Sequence, residues 1–120
     1  MFRNLLWIAA GGALGSLGRY ALTLLASLLT VRAEWATLAA NVCGSFLIGL
    51  VLPSAKEEFF LFCTVGVCGG FTTFSTFSSQ SLQLLRDGQY GWGFLYMLGT
   101  VALSLAMVGL GWYCRQRIWG

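Results

Sequence analysis

The sequence predicts an all-α membrane protein of four transmembrane helices, the third broken near its middle. Three observations carry that prediction. Of 120 residues, 58% are hydrophobic and only 9% are charged, whereas a soluble domain carries about a quarter charged residues. The apolar sequence, of mean hydropathy +0.77, divides into four stretches, and a bilayer-spanning helix takes about 20 residues. Within the third stretch, Gly69-Gly70-Phe71-Thr72-Thr73-Phe74-Ser75-Thr76-Phe77-Ser78-Ser79-Gln80 places glycines, hydroxyls and evenly spaced phenylalanines at membrane depth. Four spans consume most of the chain, so residues 1–120 are read as one transmembrane domain with no soluble domain beside it.

The first helix is expected over about 4–31. Arg3 ahead of an apolar run resembles a signal peptide, but the run continues beyond a typical signal core and no clean cleavage site follows, so it is kept as a membrane helix. Gly11 and Gly15 form a GxxxG pair, which lets another helix approach closely. Arg19 is the anomaly. A charge near the membrane centre costs about 2.5–3.5 kcal/mol even on a lenient scale. Two placements stand: snorkelling to a headgroup, or a buried structural or anion-attracting role.

The second helix is expected over about 36–52, after a polar break with Arg32, Glu34 and an interfacial Trp35. Asn41 and Ser45 are four apart and share a face. An amide at that depth needs a partner or water. Asn41 therefore either glues two helices together or lines an aqueous path. Pro53 is expected to end this helix, and Lys56, Glu57 and Glu58 to mark the next loop.

The third helix is expected over about 59–85. Gly69-Gly70 should weaken it there, while Thr72, Thr73, Ser75 and Thr76 satisfy freed backbone groups. Irregular backbone at membrane depth is tolerated only when buried in protein or lining a cavity. Such a break exposes carbonyls to a cation and amides to an anion. The fourth helix is expected over about 92–113, after Arg86-Asp87-Gly88. Tyr96, Thr100 and Ser104, four apart, make one polar stripe along it.

Composition excludes several functions. There is no histidine, no nucleotide-binding loop and no pair of carboxylates at useful spacing, so the chain is read as a non-enzyme. The seven basic residues are scattered, which is no nucleic-acid footprint. Cys43, Cys63, Cys68 and Cys114 form no CxxC pair and read as small apolar side chains. Nothing acidic lies inside the spans, which argues against a carboxylate-driven pump and a small multidrug-type exporter. A membrane accessory protein that moves no ions stays open on these grounds.

With four spans, Arg3, Lys56, Arg115 and Arg117 share one side and Arg32 and Arg86 the other. The positive-inside rule then places both termini in the cytoplasm, by so small a margin that insertion both ways, and a head-to-tail homodimer, are open. A water-filled path between two copies is easier to wall than one through four short helices. Asn41, Phe74, Phe77, Ser75, Thr76, Tyr96, Thr100 and Ser104 are the candidates for its walls. Amide and hydroxyl hydrogens and the positive edge of an aromatic ring suit a small anion. Phenylalanines as packing, and hydroxyls as helix-helix glue, are the competing readings.

Three blocks carry a resemblance. Gly11-Gly12-Ala13-Leu14-Gly15-Ser16-Leu17-Gly18-Arg19-Tyr20, Asn41-Val42-Cys43-Gly44-Ser45-Phe46-Leu47-Ile48-Gly49 and Gly66-Val67-Cys68-Gly69-Gly70-Phe71-Thr72-Thr73-Phe74-Ser75-Thr76-Phe77 resemble the CrcB/Fluc family of fluoride ion channels. The resemblance covers all four spans and is most specific in the third block. It implies an antiparallel homodimer with two fluoride pores in the bacterial inner or plasma membrane, among lipid, through which fluoride leaves the cytoplasm passively and its toxicity is relieved. It implies that Asn41 contacts the path, that Phe74 and Phe77 turn ring edges to the anion, and that Tyr96, Thr100 and Ser104 form a polar track. It also implies that the Gly69 and Thr72 carbonyls hold a central structural Na+ at the dimer axis, and that Arg19 acts structurally or electrostatically near a vestibule. One departure is Gln80, where some relatives carry glutamate.

Overall fold

A computed structural model of the chain describes residues 1–51 and 57–119. Pro53 and Lys56, expected to end the second helix and open the next loop, lie outside the described residues. Helix α1 is Phe2–Leu28 and α2 is Ala33–Val51. Helix α3 covers residues 57–71: it opens as Glu57–Phe60, widens into a π-helical stretch at Leu61–Cys68, and closes with Gly69–Phe71. Helix α4 is Phe74–Arg86 and α5 is Tyr90–Trp119. Four spans are long and apolar enough to cross a membrane: α1, α2, α3 with α4, and α5. At about 1.5 Å per residue, the 30 residues of α5 run beyond a hydrocarbon core about 30 Å thick.

Two helix ends use the same stop. After α1, Thr30 takes a left-handed φ of 55° and Val31 N–H reaches back to the Ala26 carbonyl at 2.8 Å. After α4, Gly88 takes φ 78° and Gln89 N–H reaches the Leu84 carbonyl at 2.9 Å. Both follow the left-handed helix stop that satisfies the last carbonyls. Glycine adopts that conformation freely, whereas a β-branched threonine is strained in it.

Helix α2 is the most enclosed of the spans, and two glycine seams set the packing. A Cβ at Gly11 would run into the Phe62 carbonyl, and one at Gly15 into the Val67 carbonyl, so α1 lies backbone to backbone on α3. On the other side, a Cβ at Gly49 would meet the Val108 carbonyl and one at Gly111 the Phe46 carbonyl, which seats α2 on α5. In lipid there is little hydrophobic drive between helices, so this close van der Waals contact carries much of the association.

The bundle has two distinct ends. At one, Arg3 Nε pairs with Glu58 Oε1 at 2.9 Å, and Arg115 Nη1 donates to the Leu50 carbonyl at 2.7 Å near the C-terminus of α2. A cation there also offsets the negative end of the helix dipole. At the other, Arg32 Nη2 donates to Gln89 Oε1 at 2.8 Å, and the Trp35 and Trp92 rings lie 5.4 Å apart. Both chain termini therefore lie at the first end.

Candidate functional site

The interruption of the third span falls at Thr72 and Thr73, not at the glycine pair. Gly69 has helical dihedrals (φ −60°, ψ −38°), while Thr72 (φ −79°, ψ 154°) and Thr73 (φ −150°, ψ 121°) are extended. Gly70 serves packing: a Cβ there would come within 2.6 Å of the Gly12 carbonyl. Gly44 of α2 makes room for the break, since a Cβ there would strike the Thr72 methyl group.

The N–H groups of Thr72, Thr73 and Thr76 each find an acceptor around the break. Thr72 closes the last turn of α3 with its N–H (2.8 Å) and its hydroxyl (2.7 Å), both on the Cys68 carbonyl. Thr73 N–H donates to Asn41 Oδ1 at 2.9 Å, and Asn41 Nδ2 donates back to the Thr73 carbonyl at 3.4 Å. Thr73 Oγ1 then caps α4 by accepting Thr76 N–H at 3.2 Å. A threonine cap of this kind is worth about 1 kcal/mol.

The same bonds release two carbonyls. In an uninterrupted helix Thr73 N–H would bond to the Gly69 carbonyl, and Thr76 N–H to that of Thr72. Both donors are engaged elsewhere, on Asn41 and on Thr73 Oγ1. The two oxygens are neutral and hard, and Gly69 is exposed. This donor set fits a small monovalent cation, which unwound backbone carbonyls coordinate in membrane proteins.

Beside the break lies an open groove of about 310 Å³ between α2, α4 and α5, walled by Asn41, Ser45, Thr73, Phe74, Phe77, Thr100 and Ser104 among others. Phe77 is buried and touches both neighbouring rings, with centroids 5.8 Å from Phe74 and 5.2 Å from Tyr96. Phe74 is 78% exposed. Thr100 is only 5% exposed, and its hydroxyl has no hydrogen-bond partner among the described residues.

The remaining expected residues distribute differently. Tyr96 is buried against Phe77 but does not line the groove; its hydroxyl donates to Gln80 Oε1 at 2.8 Å. Ser75 is exposed, 3.3 Å from Thr73 Oγ1. Thr76 opens into a second cavity, of about 290 Å³, with Arg19, Ser16, Tyr20, Thr23 and Thr37. The Arg19 side chain has no hydrogen-bond or ion-pair partner among the described residues, and that cavity is where it sits. The Thr73 and Thr76 hydroxyls, 3.2 Å apart, stand between the two spaces, one lining each.

Sequence reasoning missed Thr37 and Thr73 as cavity walls. Thr37 could have been found: it lies four residues before Asn41 and eight before Ser45, which puts all three on one face of α2. The third spaced phenylalanine, Phe71, precedes the break and faces elsewhere. It helps line an apolar hollow with Cys43, Gly44 and Cys68.

The sequence as a whole matches known proteins. The family model described as "CrcB-like protein, Camphor Resistance (CrcB)" matches residues 6–112. A protein of Phocaeicola vulgatus named fluoride-specific ion channel FluC is 43% identical, covering 91% of this chain and 95% of its own length. Proteins of the same name from Thermus thermophilus and Salinibacter ruber are each 47% identical, covering 89% and 98% of this chain and 90% and 92% of their own. These relatives are named as ion channels, a class that performs no enzymatic reaction.

Proposed function

Because the chain belongs to the CrcB family, we propose that it is a fluoride-selective channel through which fluoride leaves the cytoplasm passively, relieving fluoride toxicity. It is a multi-pass membrane protein, and the membrane proposed is the bacterial inner or plasma membrane. The groove beside the helix break is read as one wall of the pore. An antiparallel second copy would supply the opposite wall, and the two-fold axis would generate two pores per dimer.

One observation carries the reading. The Thr100 hydroxyl is buried in the groove wall with no partner among the described residues. A buried hydroxyl left unmet costs about 1–3 kcal/mol, and an anion passing along the groove supplies the acceptor. Asn41 adds a second donor. Its Nδ2 carries two hydrogens, and the Thr73 carbonyl takes one. Phe74 and Phe77 contribute ring edges, the positive part of the aromatic quadrupole. Ser104 continues the track, Tyr96 holds Phe77 in place, and Ser75 joins the path where the second copy covers it.

The chemistry suits conduction. These donors are neutral and divided among several positions, so they replace water around fluoride without trapping it. Arg19 stands off in the neighbouring cavity with Thr76. There it raises the local anion concentration as a vestibule charge does, outside the groove itself.

The Gly69 and Thr72 carbonyls are proposed to hold a structural Na+ on the dimer axis. Two copies would offer four neutral oxygens, and the bound ion would tie the two breaks together and offset their partial charge. Replacing sodium with N-methylglucamine should then lower the melting temperature of the purified dimer; no change would overturn the sodium assignment. For the function itself the test is efflux from liposomes carrying the purified protein. Fluoride should leave rapidly and chloride should be retained. Retention of fluoride by correctly assembled protein would overturn the reading.

A further inference from the structure

Among the described residues, two buried side-chain donors lack a hydrogen-bond partner: Thr100 Oγ1 and Trp92 Nε1. They stand eight residues apart on α5, with Tyr96 midway between them and Ser104 four beyond. Residues four apart share a helix face, so Trp92 prolongs the polar stripe toward the N-terminus of α5. Nearly all buried polar groups in proteins are hydrogen-bonded, and an exception calls for an ion, a water or a functional role. Two exceptions on one face call for a common one.

The Trp92 indole needs an acceptor, which an anion supplies. The indole N–H is a donor only, so a cation cannot be its partner. The Arg32 guanidinium lies 5.7 Å from the centre of the Trp92 ring. A cation over the ring face draws electron density from it, which makes the N–H a stronger donor. Arg32 donates to Gln89 at 2.8 Å and is ion-paired with the Glu34 carboxylate at 3.4 Å. The ring also touches Trp35 at 5.4 Å and Tyr96 at 6.2 Å. A row of rings thus runs from the Arg32 end of the bundle through Trp92, Tyr96 and Phe77 to Phe74 in the groove.

We infer that the Trp92 indole N–H is a further fluoride-contacting donor, at the end of the α5 stripe nearest Arg32. This rests on the fluoride-channel reading above. In it, Trp92 receives or releases the ion at the bundle end where Arg32 stands, and Thr100 carries it within the groove. The substitution W92F keeps an aromatic ring and deletes the N–H.

The experiment pairs flux with a direct view of the N–H. In liposomes, W92F should pass fluoride about tenfold more slowly than the wild type, the effect of losing one hydrogen bond to a charged group, with dimer and melting temperature retained. In [15N]Trp-labelled wild-type protein, the Trp92 indole resonance should shift on adding sodium fluoride and stay in place with sodium chloride. Single Trp→Phe variants at Trp7, Trp35, Trp112 and Trp119 identify that resonance by elimination, even where W92F does not assemble. An unchanged flux, or a slowed flux without a fluoride-dependent shift, overturns the inference and leaves Trp92 as packing. Failure of the channel reading would register separately, as wild-type protein that passes no fluoride.

Discussion

Asn41 and Thr73 exchange two hydrogen bonds across the helix break, Thr73 N–H to Asn41 Oδ1 at 2.9 Å and Asn41 Nδ2 to the Thr73 carbonyl at 3.4 Å. One amide thereby satisfies the backbone at the interruption and releases the Gly69 carbonyl. The same residue borders the groove. Asn41→Leu should leave the Thr73 N–H unmet at a cost of about 1–3 kcal/mol, seen as a lower melting temperature and lost fluoride flux. Asn41→Asp keeps the acceptor, so it should retain more stability while its negative charge still suppresses flux. Equal stability for all three proteins would contradict the bridging role.

Thr100 separates conduction from folding. Its hydroxyl is buried and unpartnered among the described residues, so Thr100→Val removes a polar group that the fold does not use. The melting temperature should hold or rise slightly. Fluoride efflux should fall about tenfold, the loss of one charge-assisted hydrogen bond. A variant with wild-type flux would remove Thr100 from the path.

Phe74 and Phe77 should fail in different ways. Phe77 is 7% exposed and packs with Leu84 and Tyr96, so Phe77→Ala opens a cavity that costs roughly 3–5 kcal/mol by comparison with other buried aromatics. Phe74 is 78% exposed, so Phe74→Ala should assemble and melt like the wild type yet conduct poorly. Size-exclusion chromatography with the flux assay distinguishes the two outcomes. Loss of assembly in both variants would assign both rings to packing.

The glycines divide the same way. A Cβ at Gly15 would strike the Val67 carbonyl, whereas one at Gly99 meets nothing within 4 Å. Gly15→Ala should therefore push α1 off α3 and reduce the yield of folded protein. Gly99→Ala should be neutral or slightly stabilising, since alanine is about 1 kcal/mol better than glycine within a helix. Similar yields for the two would contradict the backbone seam.

Hydropathy made the four spans legible, because length and apolarity are local properties. The start of α2 moved from 36 to Ala33 and the end of α5 from 113 to Trp119, since helical hydrogen bonding continues where apolar sequence thins. The position of the break was less legible. Gly69-Gly70 reads locally as the weak point, but both glycines are helical, and Gly70 lies against Gly12. The chain opens at Thr73 because Asn41, 32 residues earlier, takes its N–H. No local pattern encodes a partner so distant. Within α4, Phe74 and Phe77 are three apart and share the groove face, while Thr76 lies off that face and borders the cavity of Arg19.

The central claim is that this chain conducts fluoride passively and selectively, and a planar-bilayer recording tests it most directly. With fluoride on both sides at unequal concentration and chloride gradients reversed, the current should reverse at the fluoride equilibrium potential and vanish when fluoride is replaced by chloride. A current that reverses at the chloride potential, or no current from folded dimer, would contradict the account.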